Sequence, residues 1–295
     1  GVDILFVVPK VFGDEGRNDI KLLGAENVVV NNKEFNYREF WDRLTYLEVG
    51  SNLIPYVSPE EYKQLFEKHI FNKLETTDTD LSMNFRFSGK YGPDLMDEVS
   101  RYAMIGSVIA MQNSFDVIHS HDWLTYSAGI AAKEVSGKPL IVHVHATEFD
   151  RSGENVNQNV FDIEKKGMEA ADQIITVSNL TKKTVVEKYG IGPDKIKTVY
   201  NAVEPVARNR EDYEKNVKEK IVTFLGRVTF QKGPEYFIEA AYKVLQKNEK
   251  VRFVMAGSGD MLNRMIRRAA ELGITSKFHF AGFLKGDDVV RMFSI

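Results

Sequence analysis

Short β-branched and apolar runs alternate along this chain with longer segments whose apolar residues recur at helical spacing. The runs are bounded by Gly, Pro or Asp and predict strands at 4–8, 27–30, 117–120, 140–144, 173–177 and 196–200. The segments between them predict helices at 94–112, 123–135, 156–170 and 180–189. Strands that alternate with helices form parallel sheets with crossover helices, so the pattern predicts an α/β fold.

The alternation stops after residue 201 and resumes at residue 220. Residues 204–219 are highly charged with few apolar side chains, which predicts a surface linker. Beyond it we predict strands at 221–228, 251–257 and 278–283 and helices at 234–246 and 261–272. We therefore expect two Rossmann-like, doubly wound domains facing across a cleft, at 1–203 and 220–295, with the second incomplete. Residues 31–91, aromatic and polar with little periodicity, are predicted to be an insertion in the first domain.

The composition excludes several classes of function. The 39 basic and 42 acidic residues leave a net charge of -3, so we expect no nucleic-acid partner. The most apolar helical run, 102–111, is about half the roughly 20 residues needed to span a bilayer, so we expect no membrane span. The absence of cysteine excludes disulfides and thiolate chemistry and favours a cytoplasmic location. The chain begins at Gly1 rather than methionine, and we expect its natural N-terminus to lie upstream.

Four of the six histidines lie in two short stretches, His119 and His121 in HSHDW, and His143 and His145 in HVHATEF. Ligands of parallel sheets collect beyond the carboxyl ends of the strands, where His121 is predicted to hydrogen-bond a polar ligand. Asp122 is predicted to cap the next helix. Strand geometry permits a metal site, since each pair lies on one face. We nevertheless expect no metal, because no third cluster of ligands stands out and HVH should be covered on both faces.

A second candidate site is GRVTFQKG, from Gly226 to Gly233, at the first strand of the second domain. It places Arg227 and Lys232 in a loop ahead of a helix, whose N-terminus adds partial positive charge. Its glycines allow the backbone to approach a ligand closely. The loop therefore predicts a phosphate site able to hold a diphosphate without a metal ion.

The stretch AGSGDM forms another strand-to-helix turn and contains Gly257 and Gly259. It lacks the third glycine of a dinucleotide-binding fingerprint, and Asp260 would repel phosphate. The simpler prediction is a tight turn with Asp260 as the helix N-cap. The chain contains no P-loop pattern and no nucleophile elbow.

The motifs HSHDW, HATEFDRSG, ADQIITVSN, VYNAVE, FLGRVTFQKG and VMAGSGD, in this order, resemble those of the retaining glycosyltransferases of family 4, the glycogen-synthase-like group. The resemblance runs from about residue 116 to the end of the chain. It implies a GT-B fold in which the C-terminal domain holds the sugar nucleotide and the N-terminal domain the acceptor. It also implies that no metal or other cofactor is required.

The same resemblance assigns expected roles to individual residues. His121 is expected beside the donor sugar, and Arg227 and Lys232 are expected to neutralise the leaving diphosphate. The remaining donor-site positions are Gly226, Gly257 and Gly259. Positions expected to line the cleft or the crossover between domains are Asp122, Glu148, Arg151 and Asn201.

Two family elements are absent from this sequence: a first strand with its glycine-rich loop, and two glutamates eight positions apart. We therefore expect an interior piece of a longer enzyme that is itself inactive. The expected reaction is transfer of a hexosyl, foremost glucosyl, unit from an ADP or UDP sugar to an α-glucan. Alternatives are a small or lipid-linked acceptor, a sugar-nucleotide epimerase with Glu148 as its base, and a non-catalytic binding module.

Overall fold

The computed structural model describes residues 2–11, 21–31, 82–83, 87, 95–203 and 217–294. The predicted insertion at 31–91 and the predicted linker at 204–219 lie largely outside these residues. The chain forms two compact units, one of Gly1–Phe149 with Asn155–Asn201, the other of Asp150–Glu154 with Ala202–Ile295.

The first unit is built around a parallel sheet of four strands in the order β5-β6-β7-β8. These strands are β5 (Ile118–His121), β6 (Leu140–Val144), β7 (Gln173–Thr176) and β8 (Ile196–Thr198). A separate parallel pair joins β1 (Leu5–Val8) to β2 (Lys21–Gly24), and a short antiparallel pair joins β3 (Val30–Asn31) to β4 (Ser82–Met83). The helices of this unit are α1 (Leu95–Gln112), α2 (Trp123–Ser136), α4 (Gln158–Ala170) and α5 (Asn179–Tyr189). Helix α3 (Glu148–Ser152) has its first two residues in this unit and its last three in the second.

One face of the four-stranded sheet carries the core of this unit. Leu140, Val142, Val144 and Ile174 are at most 2% exposed and pack with apolar side chains of α2, α4 and α5. Successive strand residues point to opposite faces, so the residues between them share the other face. The register aligns His121 with His143 across β5 and β6. The sheet therefore has an apolar face under the helices and a second face that carries histidines.

The second unit contains the parallel sheet β11-β10-β9, formed by β9 (Lys220–Leu225), β10 (Val251–Ala256) and β11 (Phe278–Gly282). Its helices are α6 (Pro234–Leu245), α7 (Leu262–Glu271) and α8 (Asp287–Ser294). Pro234 is the first residue of α6, where its missing N–H costs nothing. The core joins β10 to both flanking helices through fully buried Ile238, Met255 and Met265.

The predicted α/β class is confirmed, and the predicted strand at 140–144 matches β6 at both ends. The strand predicted at 27–30 is wrong, because a 3-10 turn occupies Ala25–Asn27 and only Val30 joins a strand. The sequence pattern missed β2, α3 and α8, which are too short to show a period. No helix in the described ranges has the length and apolar character needed to cross a membrane.

Candidate active site

The carboxyl end of β5 places His121 at an exposed position and follows it with an unusual backbone turn at Asp122. Asp122 has φ 58° and ψ 169°, and among the described residues no other non-glycine residue has a positive φ. This combination is nearly confined to glycine and costs an L-residue about 1–3 kcal/mol. Such strain persists where surrounding contacts enforce it, and it concentrates at functional sites.

The contacts that hold Asp122 come from the loop after β6. Its Oδ1 accepts hydrogen bonds from the backbone N–H of His145 at 2.8 Å and of Ala146 at 3.4 Å. Its own N–H donates to the carbonyl of His143 at 3.0 Å. The predicted side-chain cap of α2 is therefore wrong, because the carboxylate makes no cap hydrogen bond and instead ties two strand-end loops together.

The four histidines of the two sequence stretches stack along this edge of the sheet. Ring centroids lie 4.4 Å apart between His119 and His121, 5.1 Å between His121 and His143, and 4.2 Å between His143 and His145. His121 Nδ1 and His145 Nε2 are 2.9 Å apart and share a hydrogen bond. The side chain of His121 is thereby held in one orientation at the strand end.

Partial burial lowers the pKa values of three of these imidazoles, His119, His121 and His143. Removal from water, and to a smaller extent the proximity of the neighbouring histidines, lowers the pKa of His143 to about 4. Burial, followed by the proximity of other histidines, also lowers the pKa values of His119 and His121. At neutral pH these three rings therefore offer lone pairs and N–H groups rather than positive charge.

Glu148 begins α3 and is buried, with 6% exposure. Its Oε1 accepts a hydrogen bond from the backbone N–H of Asn157 at 3.1 Å. An epimerase base would have to face the sugar, whereas this carboxylate is enclosed and already accepts a structural hydrogen bond. Arg151 is half-buried on α3, and Asn201 is exposed beyond β8.

Glu164 is a second buried carboxylate, which the sequence pattern did not single out. Its Oε2 accepts from the backbone N–H of Glu148 at 3.0 Å and from the hydroxyl of Tyr189. It is 2% exposed on α4. The available signal was its helical spacing, since Glu164 shares a face with Val160 and Gly167, both of which are buried.

In the second unit, the loop after β9 presents Arg227 and Lys232 as exposed side chains. Within the described ranges neither cation has a carboxylate within salt-bridge distance. A 3-10 turn at Phe230–Lys232 leads to Gly233, which has φ 61° and no side chain to cap α6. Uncapped amides at a helix N-terminus favour anions, so the loop combines two cations with a positive helix end.

The three predicted donor-site glycines lie where the loops after β9 and β10 meet. The N–H of Gly226 donates to Ala256 at 3.0 Å, and the N–H of Val228 donates to Ser258 at 2.9 Å. A Cβ on Gly257 would overlap the Gly226 carbonyl oxygen, and one on Gly259 would lie 2.6 Å from the Val228 carbonyl carbon. Gly257 and Gly259 thus allow one loop to pack directly on the other.

The predicted N-cap role of Asp260 is wrong. Helix α7 begins after Met261, which is its N-cap residue and makes no side-chain cap hydrogen bond. The backbone N–H of Met261 donates to the Val228 carbonyl at 3.1 Å. The start of α7 is therefore anchored to the loop after β9 rather than capped by a carboxylate.

The chain contains two successive units, each built on a parallel sheet with helices. Residues 84–206 match the family model described as Glycosyltransferase Family 4, and residues 206–295 match that described as Glycosyl transferases group 1. The two matches adjoin and together cover more than two thirds of the chain. The chain therefore has a GT-B fold, and two adjoining segments of it are similar to glycosyltransferase families.

Curated relatives agree with this assignment. An uncharacterized glycosyltransferase of Methanocaldococcus jannaschii is 31% identical over 200 residues, covering 61% of this chain and 50% of the relative. D-inositol 3-phosphate glycosyltransferase of Salinispora arenicola is 27% identical over 207 residues, covering 61% and 46%. Glycogen synthase of Mycobacterium tuberculosis is 24% identical over 185 residues, covering 60% and 44%. The chain thus spans about half the length of the curated relatives it matches.

The fold is also similar to that of a solved structure. The crystal structure of Anabaena HepE in complex with UDP and glucose aligns with a TM-score of 0.53 at 16% identity. The alignment covers 70% of this chain and 56% of HepE. At this identity the likeness establishes the shared fold.

Proposed function

We propose that this protein is a retaining glycosyltransferase that moves a hexosyl unit, foremost glucosyl, from a nucleoside diphosphate sugar to a carbohydrate acceptor. The observation that carries the proposal is the loop at 226–233, with its two exposed cations and uncapped helix N-terminus. The adjoining matches to two glycosyltransferase family models support the same reaction class.

The two cations act on the leaving group. As the bond between sugar and phosphate breaks, negative charge grows on the phosphate oxygen. Fixed positive charges stabilise this state more than the ground state, which is the condition for accelerating the reaction. At an effective dielectric constant of 20, each cation about 4 Å from a phosphate charge contributes roughly 4 kcal/mol before desolvation. Arg227 and Lys232 can therefore stabilise the leaving diphosphate without a metal ion.

His121 is proposed to contact the donor sugar. A neutral imidazole can donate or accept a hydrogen bond without adding charge near the anomeric carbon. The hydrogen bond with His145 and the strained turn at Asp122 hold the ring in place, which lowers the cost of ordering it when the sugar binds. A strong general base is unnecessary in this scheme, because the departing phosphate accepts the acceptor's proton on the same face of the sugar.

UDP is the first choice of donor nucleotide, with ADP second, because the fold is shared with a protein crystallised with UDP and glucose. An α-glucan is the first choice of acceptor, supported by the likeness to a glycogen synthase. A small phosphorylated acceptor is the second candidate, supported by the likeness to an enzyme named for D-inositol 3-phosphate. A sugar-nucleotide epimerase is less well supported, because Glu148 is enclosed.

The test is product formation from UDP-glucose or ADP-glucose with each acceptor class, followed by nuclear magnetic resonance and made on the longer enzyme in which we expect this chain to lie. A retaining transferase gives an α-linked product from an α-linked donor. His121→Ala should reduce kcat strongly, whereas His279→Ala, an exposed histidine on β11, should have no effect. Nucleotide binding without product from either donor would instead favour a binding module.

A further inference from the structure

We propose that Glu164 is a positioning residue for the transfer reaction, and that it acts through the loop at 145–147 on the contact between His121 and the donor sugar. This loop joins β6 to α3 and carries His145, the hydrogen-bond partner of His121. Glu164 is 2% exposed on α4, so its carboxylate is out of reach of a substrate. The inference rests on the proposed function of His121 and adds to it a buried residue of the same unit.

The loop between β6 and α3 is held at each end by a carboxylate from another element. At its start, Oδ1 of Asp122 accepts hydrogen bonds from the N–H groups of His145 and Ala146. At its end, Oε2 of Glu164 accepts from the buried N–H of Glu148 at 3.0 Å. A buried N–H that loses its partner is costly, so the backbone stays where the two carboxylates can accept from it. Together they fix the path of the segment that carries His145.

Glu164 is in turn held by α5. The hydroxyl of Tyr189 donates a second hydrogen bond to Oε2 of Glu164. The Tyr189 ring stacks on Phe161 and meets Phe149 edge-on. Because Phe149 directly follows Glu148, the same aromatic group packs against the start of α3. The carboxylate of Glu164 is therefore presented to the loop in one orientation.

The hydrogen bond between the two histidines is sensitive to the position of the loop. Nε2 of His145 lies 2.9 Å from Nδ1 of His121. Because a contact of about 3.6 Å is no longer a hydrogen bond, a displacement of about 0.7 Å along this direction breaks it. His121 then loses the partner that holds its ring. A misplacement of about 1 Å at a reacting site can reduce the rate about a hundredfold, so we expect Glu164 to affect kcat.

The reach and the charge of the side chain at position 164 can be varied separately. Glu164→Gln removes the charge and keeps an acceptor oxygen at the same reach. Glu164→Asp keeps the charge but is shorter by one methylene group, which withdraws the carboxylate from the Glu148 N–H by about 1.5 Å. A positioning role predicts that Glu164→Gln retains function and that Glu164→Asp loses it. A role that depends on charge predicts the opposite order.

The test is steady-state transfer from UDP-glucose or ADP-glucose by the longer enzyme in which we expect this chain to lie. For Glu164→Asp we expect kcat to fall at least about tenfold, while the affinity for the nucleoside diphosphate stays within about twofold. The affinity is spared because the nucleotide is assigned to Arg227 and Lys232 in the other unit. Glu164→Gln should keep kcat within about threefold of the wild type. Glu169→Asp makes the same change at an exposed position of α4 and should behave like the wild type.

Nuclear magnetic resonance of the enzyme labelled with ¹⁵N-histidine reports on His121 without turnover. Burial lowers the pKa of His121, so its ring is neutral at neutral pH. The hydrogen bond with His145 holds one tautomer, which gives two well-separated ring-nitrogen signals in the wild type. Glu164→Asp should bring these signals together, because the ring then exchanges between tautomers, whereas Glu164→Gln should preserve them. The spectrum of His121→Ala assigns the signals.

Far-UV circular dichroism and urea denaturation measure the folded fraction of each variant. Val185→Ala is the destabilised control, since it removes buried methyl groups of α5 that form no hydrogen bond, and its kcat per folded molecule should match the wild type. Wild-type kcat or wild-type His121 signals in folded Glu164→Asp would overturn the positioning role and leave the proposed function intact. A loss of kcat in folded Glu164→Gln would also overturn it. Absence of product from the wild type would instead overturn the proposed function, and this role with it.

Discussion

Replacing Gly259 with alanine should destabilise the second unit and weaken nucleotide binding. The new methyl group would lie 2.6 Å from the Val228 carbonyl carbon and 2.9 Å from the Val228 nitrogen. Both are backbone atoms of a fully buried residue, so no side-chain rotation relieves the overlap. Overpacking of this kind costs about 1–3 kcal/mol. Separation of the loops also weakens the hydrogen bonds from Val228 to Ser258 and from Met261 to Val228, at about 1 kcal/mol each.

The expected loss of about 3 kcal/mol lowers the urea midpoint of this unit by about 1.5 M, for a denaturant slope of about 2 kcal/mol per molar. Nucleotide affinity should fall as well, because Val228 directly follows Arg227 in the displaced loop. Ser258→Ala is the matched control, since it changes an exposed side chain of the same turn and should shift stability by less than about 0.5 kcal/mol. A Gly259→Ala protein with wild-type stability and nucleotide affinity would refute the packing role of this glycine.

Three further predictions concern the first unit. Gly167→Ala places a methyl group 2.6 Å from Tyr126 ring atoms and should lower the free energy of unfolding by about 1–3 kcal/mol in a urea titration. Asp122→Gly should be more stable than Asp122→Ala by about 1 kcal/mol, because glycine adopts this backbone without strain; equal stabilities would contradict that. Asp172→Asn should cost about 0.5 kcal/mol at pH 7, since the hydrogen bond from Lys133 lowers the pKa of Asp172 on a partly exposed surface. The difference in stability between the wild type and Asp172→Asn should be fully present above pH 3.8, the usual pKa of aspartate in an unfolded chain. It should disappear as the pH falls through the lower pKa of Asp172 in the folded protein, which denaturation at a series of acid pH values measures.

Local pattern sufficed to predict most of the elements that frame the candidate site. The alternating apolar run at 140–144 is β6, because Leu140, Val142 and Val144 face the helices and fill the core. The loop at 226–233 was predictable since a strand, a glycine, two cations and a proline follow one another within a few residues. Such features depend on neighbours in sequence.

Features that depend on distant residues were not predictable in this way. Asp122 precedes a helix, which is the sequence signature of a cap, yet its carboxylate binds the backbone of His145. The competing partner comes from another strand, and its position depends on the register of the sheet. The same register places His143 beside His121 and creates the histidine cluster. The need for glycine at position 259 likewise arises from the backbone of Val228, which lies more than thirty positions earlier in the chain.

Titration of the wild-type protein with ADP, UDP and GDP by calorimetry tests the proposed diphosphate site most directly. We predict that UDP binds, and that the Arg227→Ala, Lys232→Ala double variant loses at least about a hundredfold in affinity, as expected for two charge-assisted contacts. A Lys247→Ala, Lys250→Ala double variant removes the same charge from two exposed lysines between α6 and β10 and should bind like the wild type. Failure of the folded protein to bind any of the three nucleotides, or equal binding by the Arg227, Lys232 variant, would contradict the account.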